Sequence, residues 1–227
     1  MRIAFFGGTF DPPHYGHLAI ARAAADCLRL DKVLFAPVGK QPLKQDSSVA
    51  SFEDRVAMVR LAIEEDTRFE VSSLDAPRPD GHPNYTIDTI LGLKKSLSPQ
   101  DQLFCLIGAD SFLSVAHWYR AAELLFACDF IVAGRPGAER LDVVLQNARQ
   151  TLPHGVRISS SHHHQTGLLE FSLTNDTGQH SALFYLPDLH EEVSATAVRS
   201  SFAERSLSND ALPEQVSEYI RAHHLYY

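Results

Sequence analysis

Short apolar runs punctuate the chain, and longer stretches of helical period separate them. Ile3–Phe6 is apolar throughout and reads as a buried strand, and Lys32–Pro37, Phe69–Ser72, Leu103–Ile107, Phe130–Ala133 and Ala182–Leu186 read as further strands. After His14, residues Leu18, Ile20, Ala21, Ala24, Ala25 and Leu28 recur at three- and four-residue steps, the pattern of one helical face. Ser51, followed by Glu53 and Asp54, opens a second helix with apolar positions at Val56, Met58, Val59, Leu61, Ala62 and Ile63. Further helices are expected from Tyr85, over Ala121–Phe126, from Leu141 to about Leu152, from Ser194, and from Glu214 to Leu225. Strand–helix–strand order makes neighbouring strands parallel, with right-handed crossovers. The expectation is an α/β fold: a Rossmann-like, doubly wound parallel sheet with a small helical C-terminal part at about 194–227. No repeat or linker divides the chain, so residues 1–227 read as one domain. After Leu152 the pattern loosens, and the run Ser159–Gln165 reads as a flexible loop.

The turn after the first strand carries candidate chemistry. Gly7 and Gly8 end the strand, Pro12 and Pro13 stiffen the turn, and a helix starts after His14. Glycines let an anion approach the backbone closely, and a helix start offers unpaired N–H groups and partial positive charge. His14 and His17 fall three residues apart, adjacent in a first helical turn, and could clamp a phosphate. Strand–glycine–helix turns are also ordinary α/β architecture. A zinc pair is disfavoured because no Cys, Asp or Glu accompanies the histidines at a zinc-site spacing.

Other positions stay open on residue type alone. Val38–Ala50, with Lys40, Pro42 and Lys44, is a solvated loop or, lying at the C-terminal end of a strand, a ligand loop. Tyr85 and Thr86 start a helix. Asp110, in Gly108-Ala109-Asp110-Ser111, caps a helix or meets a ligand. The single Trp118, beside Tyr119, is a core residue or a stacking platform for a cationic ring. Arg135 is a surface cation or a contact to phosphate or ribose. Ser194, Thr196 and Arg199 form a helix cap or an anion site. Consecutive histidines at His162-His163-His164 cannot all face one ion, so any metal they take up is adventitious.

The formal charge of −8 argues against a general nucleic-acid binder, and 44% hydrophobic residues suffice for a sizeable core. Cys27, Cys105 and Cys128 form no CxxC; their odd number and apolar neighbours point to buried thiols in a reducing cytoplasm. No signal segment opens the sequence, and no apolar run approaches the ~20 residues of a membrane span. The protein is expected to be soluble and cytoplasmic, with no membrane partner; its oligomeric state is left open.

Gly8-Thr9-Phe10-Asp11-Pro12-Pro13-His14-Tyr15-Gly16-His17 resembles the Gly-x-Phe-x-Pro-x-His-x-Gly-His signature of the nucleotidyltransferase superfamily of adenylyltransferases. Ser194-Ala195-Thr196-Ala197-Val198-Arg199 resembles the second signature of that family, Ile-Ser-Ser/Ala-Thr-x-Ile/Val-Arg, whose hydroxyls and Arg bind triphosphate. The whole pattern looks most like the bacterial nicotinate-nucleotide adenylyltransferases, and the stretch at 159–180 looks like an insertion relative to shorter members. The resemblance implies transfer of the adenylyl group of ATP to nicotinate mononucleotide, giving nicotinate adenine dinucleotide and pyrophosphate, in NAD synthesis. It implies His17 and His14 as catalytic groups, and Gly7, Gly8, Thr9, Phe10, Lys44, Ser194, Thr196 and Arg199 around ATP and its phosphates. It also implies Tyr85, Thr86, Trp118 and Tyr119 around the nicotinate ring and its carboxylate, Asp110 on the ribose, and Mg²⁺ entering with ATP. One departure is Leu43, where the family often has a His before the basic residue of this loop.

Direct attack by the mononucleotide phosphate on the α-phosphorus needs no protein nucleophile, only positioning and charge neutralisation. Alternatives are the same chemistry on nicotinamide mononucleotide or another phosphorylated acceptor, a non-catalytic nucleotide sensor, or a partner-binding domain with Tyr85, Trp118 and Tyr119 as core. His17→Ala is expected to lower turnover roughly 10²-fold with folding intact; normal turnover in a folded variant, measured as pyrophosphate release, would remove His17 from the chemistry.

Overall fold

A computed structural model describes residues 1–42, 49–134, 152–163, 168–187, 193–204 and 210–227. Lys44, Arg135 and the helix expected at 141–152, Leu152 apart, lie outside the described residues.

The elements follow in order: β1 (Arg2–Gly8), α1 (Tyr15–Leu28), β2 (Lys32–Pro37), α2 (Phe52–Ile63), β3 (Phe69–Val71), α3 (Thr86–Ser96), β4 (Gln102–Gly108) and α4 (Ala109–Leu113). Then come α5 (Ala121–Ala127), β5 (Asp129–Ala133), β6 (Val156–His163), β7 (Leu169–Asn175), β8 (His180–Leu186), α6 (Ala195–Ala203) and α7 (Glu214–Ala222). They build one eight-stranded sheet in the order β3-β2-β1-β4-β5-β8-β7-β6. The pairings from β3 to β8 are parallel, whereas β7 runs antiparallel to β8 and β6 antiparallel to β7. From β1 the chain first builds outward through β2 and β3, then crosses back to lay β4 on the other side of β1. That reversal opens a crevice at the C-terminal ends of β1 and β4, where open α/β sheets take their ligands.

Alternate residues along the central strands feed two cores, as the period of two requires. Ala4, Phe6, Phe35, Leu106 and Ile131 face α1, α2, α6 and α7, while Phe5, Cys105, Ile107, Phe130 and Val132 face α3 and α5. Ser51 caps α2 as expected, its Oγ accepting the Asp54 N–H at 3.0 Å. Ser194 caps α6 in the same way, accepting the Ala197 N–H at 3.1 Å.

Two expectations are corrected. The described part of the run read as a flexible loop, 159–163, belongs to β6 of a β6–β7 hairpin that extends the sheet. Leu169, Phe171 and Leu173 alternate on one face of β7 and pack with Val156 and Ile158 against the second core, and Leu173 is fully buried. This period-two signal is masked in the sequence by the polar run at 159–165. Cys27 is exposed, unlike Cys105 and Cys128, because its place in α1 turns it from the core-facing side used by Ala24, Ala25 and Leu28.

Leu173→Ala should cost about 2–5 kcal/mol in a urea titration, as for a buried leucine; a change within about 0.5 kcal/mol, as at a surface position, would show that the hairpin is not anchored to the core.

Candidate functional site

The crevice is a cleft of about 860 Å³ lined by Gly7, Gly8, Thr9, Phe10, His14 and His17 from the first turn and Ser194, Thr196 and Arg199 from the start of α6. Tyr85, Thr86, Asp110, Trp118 and Tyr119 line it as well. Of the expected site residues that are described, all reach this one cleft.

The two histidines are arranged by the helix start itself. His14 is the N-cap of α1 and nearly buried, and its backbone N–H donates to Nδ1 of His17 at 3.2 Å. An Nδ1 that accepts carries no proton, so the proton of a neutral His17 sits on Nε2, which makes that nitrogen the ring's donor. The two rings lie 3.8 Å apart at 34°, and the Phe10 ring meets His17 edge-on at 5.0 Å. Phe10 adopts the left-handed region, with φ of 49°, and the Asp11–Pro12 peptide is cis. Its ring edge fills the space beside Gly8, where an added Cβ would come within 3.0 Å of it. Gly8 therefore serves the packing of the turn as well as the cleft.

Arg199 joins the two ends of the chain. Its Nη1 donates to the Asp11 carbonyl at 2.7 Å and its Nη2 to Thr196 Oγ1 at 3.2 Å. Buried Arg55 donates Nη1 to the Thr9 carbonyl at 2.7 Å and Nη2 to the Val38 carbonyl at 2.9 Å. Burial lowers the pKa of this guanidinium, against the Asp11 carboxylate, which favours its charge. Gln41 Nε2 donates to Thr9 Oγ1 at 2.7 Å, so the Thr9 hydroxyl is already engaged by a neighbouring loop.

On the other side, Tyr85 is the N-cap of α3 and Thr86 its first residue, while Asp110 stands exposed in the first turn of α4. Trp118 is half-buried, and its Nε1–H donates to Ser114 Oγ at 3.3 Å. The Tyr119 ring, 52% exposed, lies 4.4 Å from the Tyr85 ring. Asn84 holds the start of this wall: its Oδ1 accepts the Lys40 N–H at 3.1 Å and its Nδ2 donates to the Ala76 carbonyl at 2.9 Å. Among the described residues no group of three or more His, Cys, Asp and Glu could hold a metal ion, and no helix is long and apolar enough to cross a membrane.

Four residues of the cleft and its support were not singled out from the sequence: Asp75, which also lines the cleft, Arg55, Asn84 and Gln41. Asn84 had a local signal in its place directly before Tyr85-Thr86, and Gln41 in lying within the candidate ligand loop Val38–Ala50. The others come from segments whose approach to the cleft is set by tertiary packing.

The cytidylyltransferase-like family matches residues 5–201. A protein of Gloeobacter violaceus named "Probable nicotinate-nucleotide adenylyltransferase" is 38% identical over 227 residues, covering 99% of this chain and 96% of its own. One of the same name from Geobacter sulfurreducens is 33% identical over 226 residues, covering 100% and 98%. A solved nicotinic acid mononucleotide adenylyltransferase of Plasmodium falciparum, complexed with NaAD, shares the fold with a TM-score of 0.68 at 17% identity, covering 99% of this chain and 97% of that one.

Asp75 gives the site a pH signature. Its carboxyl is 4% exposed, lines the cleft and accepts from the Thr89 hydroxyl, and burial raises its pKa to about 6. A carboxyl with a raised folded pKa binds more protons folded than unfolded between pH ~4 and 6, so stability falls as pH rises through that window. Asp75→Asn, which keeps an acceptor for Thr89, should remove this fall and leave the variant about 2–3 kcal/mol more stable than wild type at pH 7. Parallel urea midpoints at pH 4.5 and 7.5 check it, and identical pH dependence in both proteins would refute it.

Proposed function

Because the chain belongs to the cytidylyltransferase-like family and, within it, to the nicotinate-nucleotide adenylyltransferases, we propose that it transfers the adenylyl group of ATP to nicotinate mononucleotide. The observation that carries this reading is the Arg199–Asp11 contact of 2.7 Å, which brings the His14/His17 turn and the start of α6 to one cleft from opposite ends of the chain. The names of its relatives supply the acceptor.

In the proposed reaction, an oxygen of the mononucleotide phosphate forms a bond to the α-phosphorus of ATP. The bond from that phosphorus to the bridging oxygen of the β-phosphate breaks, and the electron pair leaves with pyrophosphate. Charge accumulates on the α-phosphoryl oxygens and on the leaving group, so fixed donors do most of the catalytic work. His17, through Nε2–H, and His14 are assigned to the phosphoryl oxygens. Ser194, Thr196, Arg199 and the free N–H groups at the start of α6 are assigned to the leaving phosphates, together with Gly7, Gly8, Thr9 and Phe10 of the turn. Lys44 is assigned to the same triphosphate. ATP enters as its complex with a divalent cation, for which Mg²⁺ is proposed, held by phosphate oxygens and water.

The acceptor is assigned to the opposite wall. Trp118 offers a face to the cationic pyridine ring, Tyr85 and Tyr119 border it, and the first N–H groups of α3 at Thr86 take the carboxylate. Asp110 accepts from ribose hydroxyls. Arg135 is a further contact to the nucleotide. The reading extends to a single nucleotidyltransferase domain acting in the cytoplasm.

Pyrophosphate release with ATP and Mg²⁺ tests the reading, with nicotinate and nicotinamide mononucleotides offered in parallel. Release with strong preference for the acid is expected. Equal use of both would remove the carboxylate assignment, and binding of ATP without turnover would leave a sensor. Trp118→Ala should raise the KM for nicotinate mononucleotide about tenfold with little change for ATP, the size of a lost ring–cation stack.

A further inference from the structure

The penultimate residue of the chain reaches the catalytic turn. Tyr226 is 8% exposed, and its hydroxyl donates to Oδ1 of Asp11 at 2.6 Å. Asp11 is 2% exposed and follows Phe10 in the turn that carries the histidines. Its Oδ2 accepts the Val49 N–H at 2.6 Å, and its Oδ1 also accepts the Ala50 N–H at 3.2 Å. Its backbone carbonyl is the acceptor for Arg199. One carboxylate thus ties together the first signature, the end of the loop before α2 and the C-terminal tail, one residue from the strained backbone of Phe10.

The tail is built to deliver this hydroxyl. The Tyr15 N–H, at the first residue of α1, donates to the Ala211 carbonyl at 2.9 Å, and Leu225 N–H donates to the Ile220 carbonyl at 3.0 Å. The Tyr226 ring packs 6.4 Å from Phe202 of α6, and Tyr226 itself takes a left-handed φ of 68°. Burial and the adjacent carboxylate push its phenol pKa up, so the hydroxyl remains a donor throughout the working pH range.

We propose that Tyr226 is a positioning residue of the catalytic turn, acting through the Asp11 carboxylate on the left-handed Phe10, on the His17 ring packed against it, and on Arg199. Without the hydroxyl, Oδ1 keeps only the longer bond from Ala50, and the buried carboxylate turns to find another donor. The carbonyl that orients Arg199 and the backbone that sets the Phe10–His17 contact turn with it. The proposal rests on the adenylyl-transfer reading for its effect on rate, but not for its effect on the imidazoles.

A second tyrosine provides the control. Tyr219 of α7 donates to Asp54 Oδ1 at 2.9 Å, the same kind of bond from the same tail, but to α2 outside the cleft. In the full chain, Tyr226→Phe is expected to lower kcat about tenfold while the KM for nicotinate mononucleotide stays within twofold, since small misplacements of catalytic groups cost that much. The side-chain ¹⁵N signals of His14 and His17 should shift. Tyr219→Phe should leave kcat and those signals unchanged, and Tyr226→Phe should add nothing in an Asp11→Asn background. Unchanged kcat and unchanged signals in Tyr226→Phe overturn the proposal, as does an equal loss in Tyr219→Phe or a full second loss in the double variant. If Tyr226→Phe does not fold, Asp11→Asn alone decides, because unshifted histidine signals there overturn it equally. A wild type that releases no pyrophosphate counts against the transferase reading only, because the imidazole signals are read without turnover.

Discussion

The loop after β1 cannot satisfy its own backbone. Its left-handed residue at Phe10 and its turn through Asp11 aim the carbonyls of Thr9 and Asp11 into the protein, where an unpaired acceptor would be costly. Two arginines supply the donors, Arg55 from α2 and Arg199 from α6. Each therefore comes from an element distant in sequence that must dock before the loop can close. Burying the Arg55 guanidinium is tolerable because it meets two carbonyls and the field of the Asp11 carboxylate. Much of the remaining geometry depends on this closure: the helix start at His14, the His17 ring against Phe10, and the meeting of the two ends of the chain.

The cleft also reconciles an acidic chain with anionic ligands. A net charge of −8 would repel ATP if it were spread evenly. Instead, the starts of α1, α3 and α6 converge on one crevice with the histidines and Arg199, so the local field is set by oriented N–H groups and a few fixed donors. Asp75 is the exception at this wall. Burial raises the pKa of its carboxyl to about 6, so the negative charge it adds there is lost on mild acidification.

Local order along the chain determined a good part of this. Apolar runs and helical periods located β1 to β5, β8 and most helices, because strands buried on both faces and amphipathic helices leave their period in the sequence. The first turn was legible as a phosphate-binding candidate from Gly7, Gly8, His14 and His17, since a glycine turn and a helix start together present N–H groups to an anion. The second segment, Ser194 to Arg199, gained meaning beyond helix capping only through the family resemblance. Tertiary structure decided what no local pattern encodes. The β6–β7 hairpin is anchored by Leu173 against strands far away in sequence, and the exposure of Cys27 depends on which side of α1 meets the core. Asp75, Arg55 and Tyr226 matter because packing carries them to the turn, where burial raises the pKa of one and hydrogen bonds to backbone or carboxylate define the other two. A residue's type and neighbours determine what it can do, but only the closed sheet and docked tail decide which donor meets which acceptor.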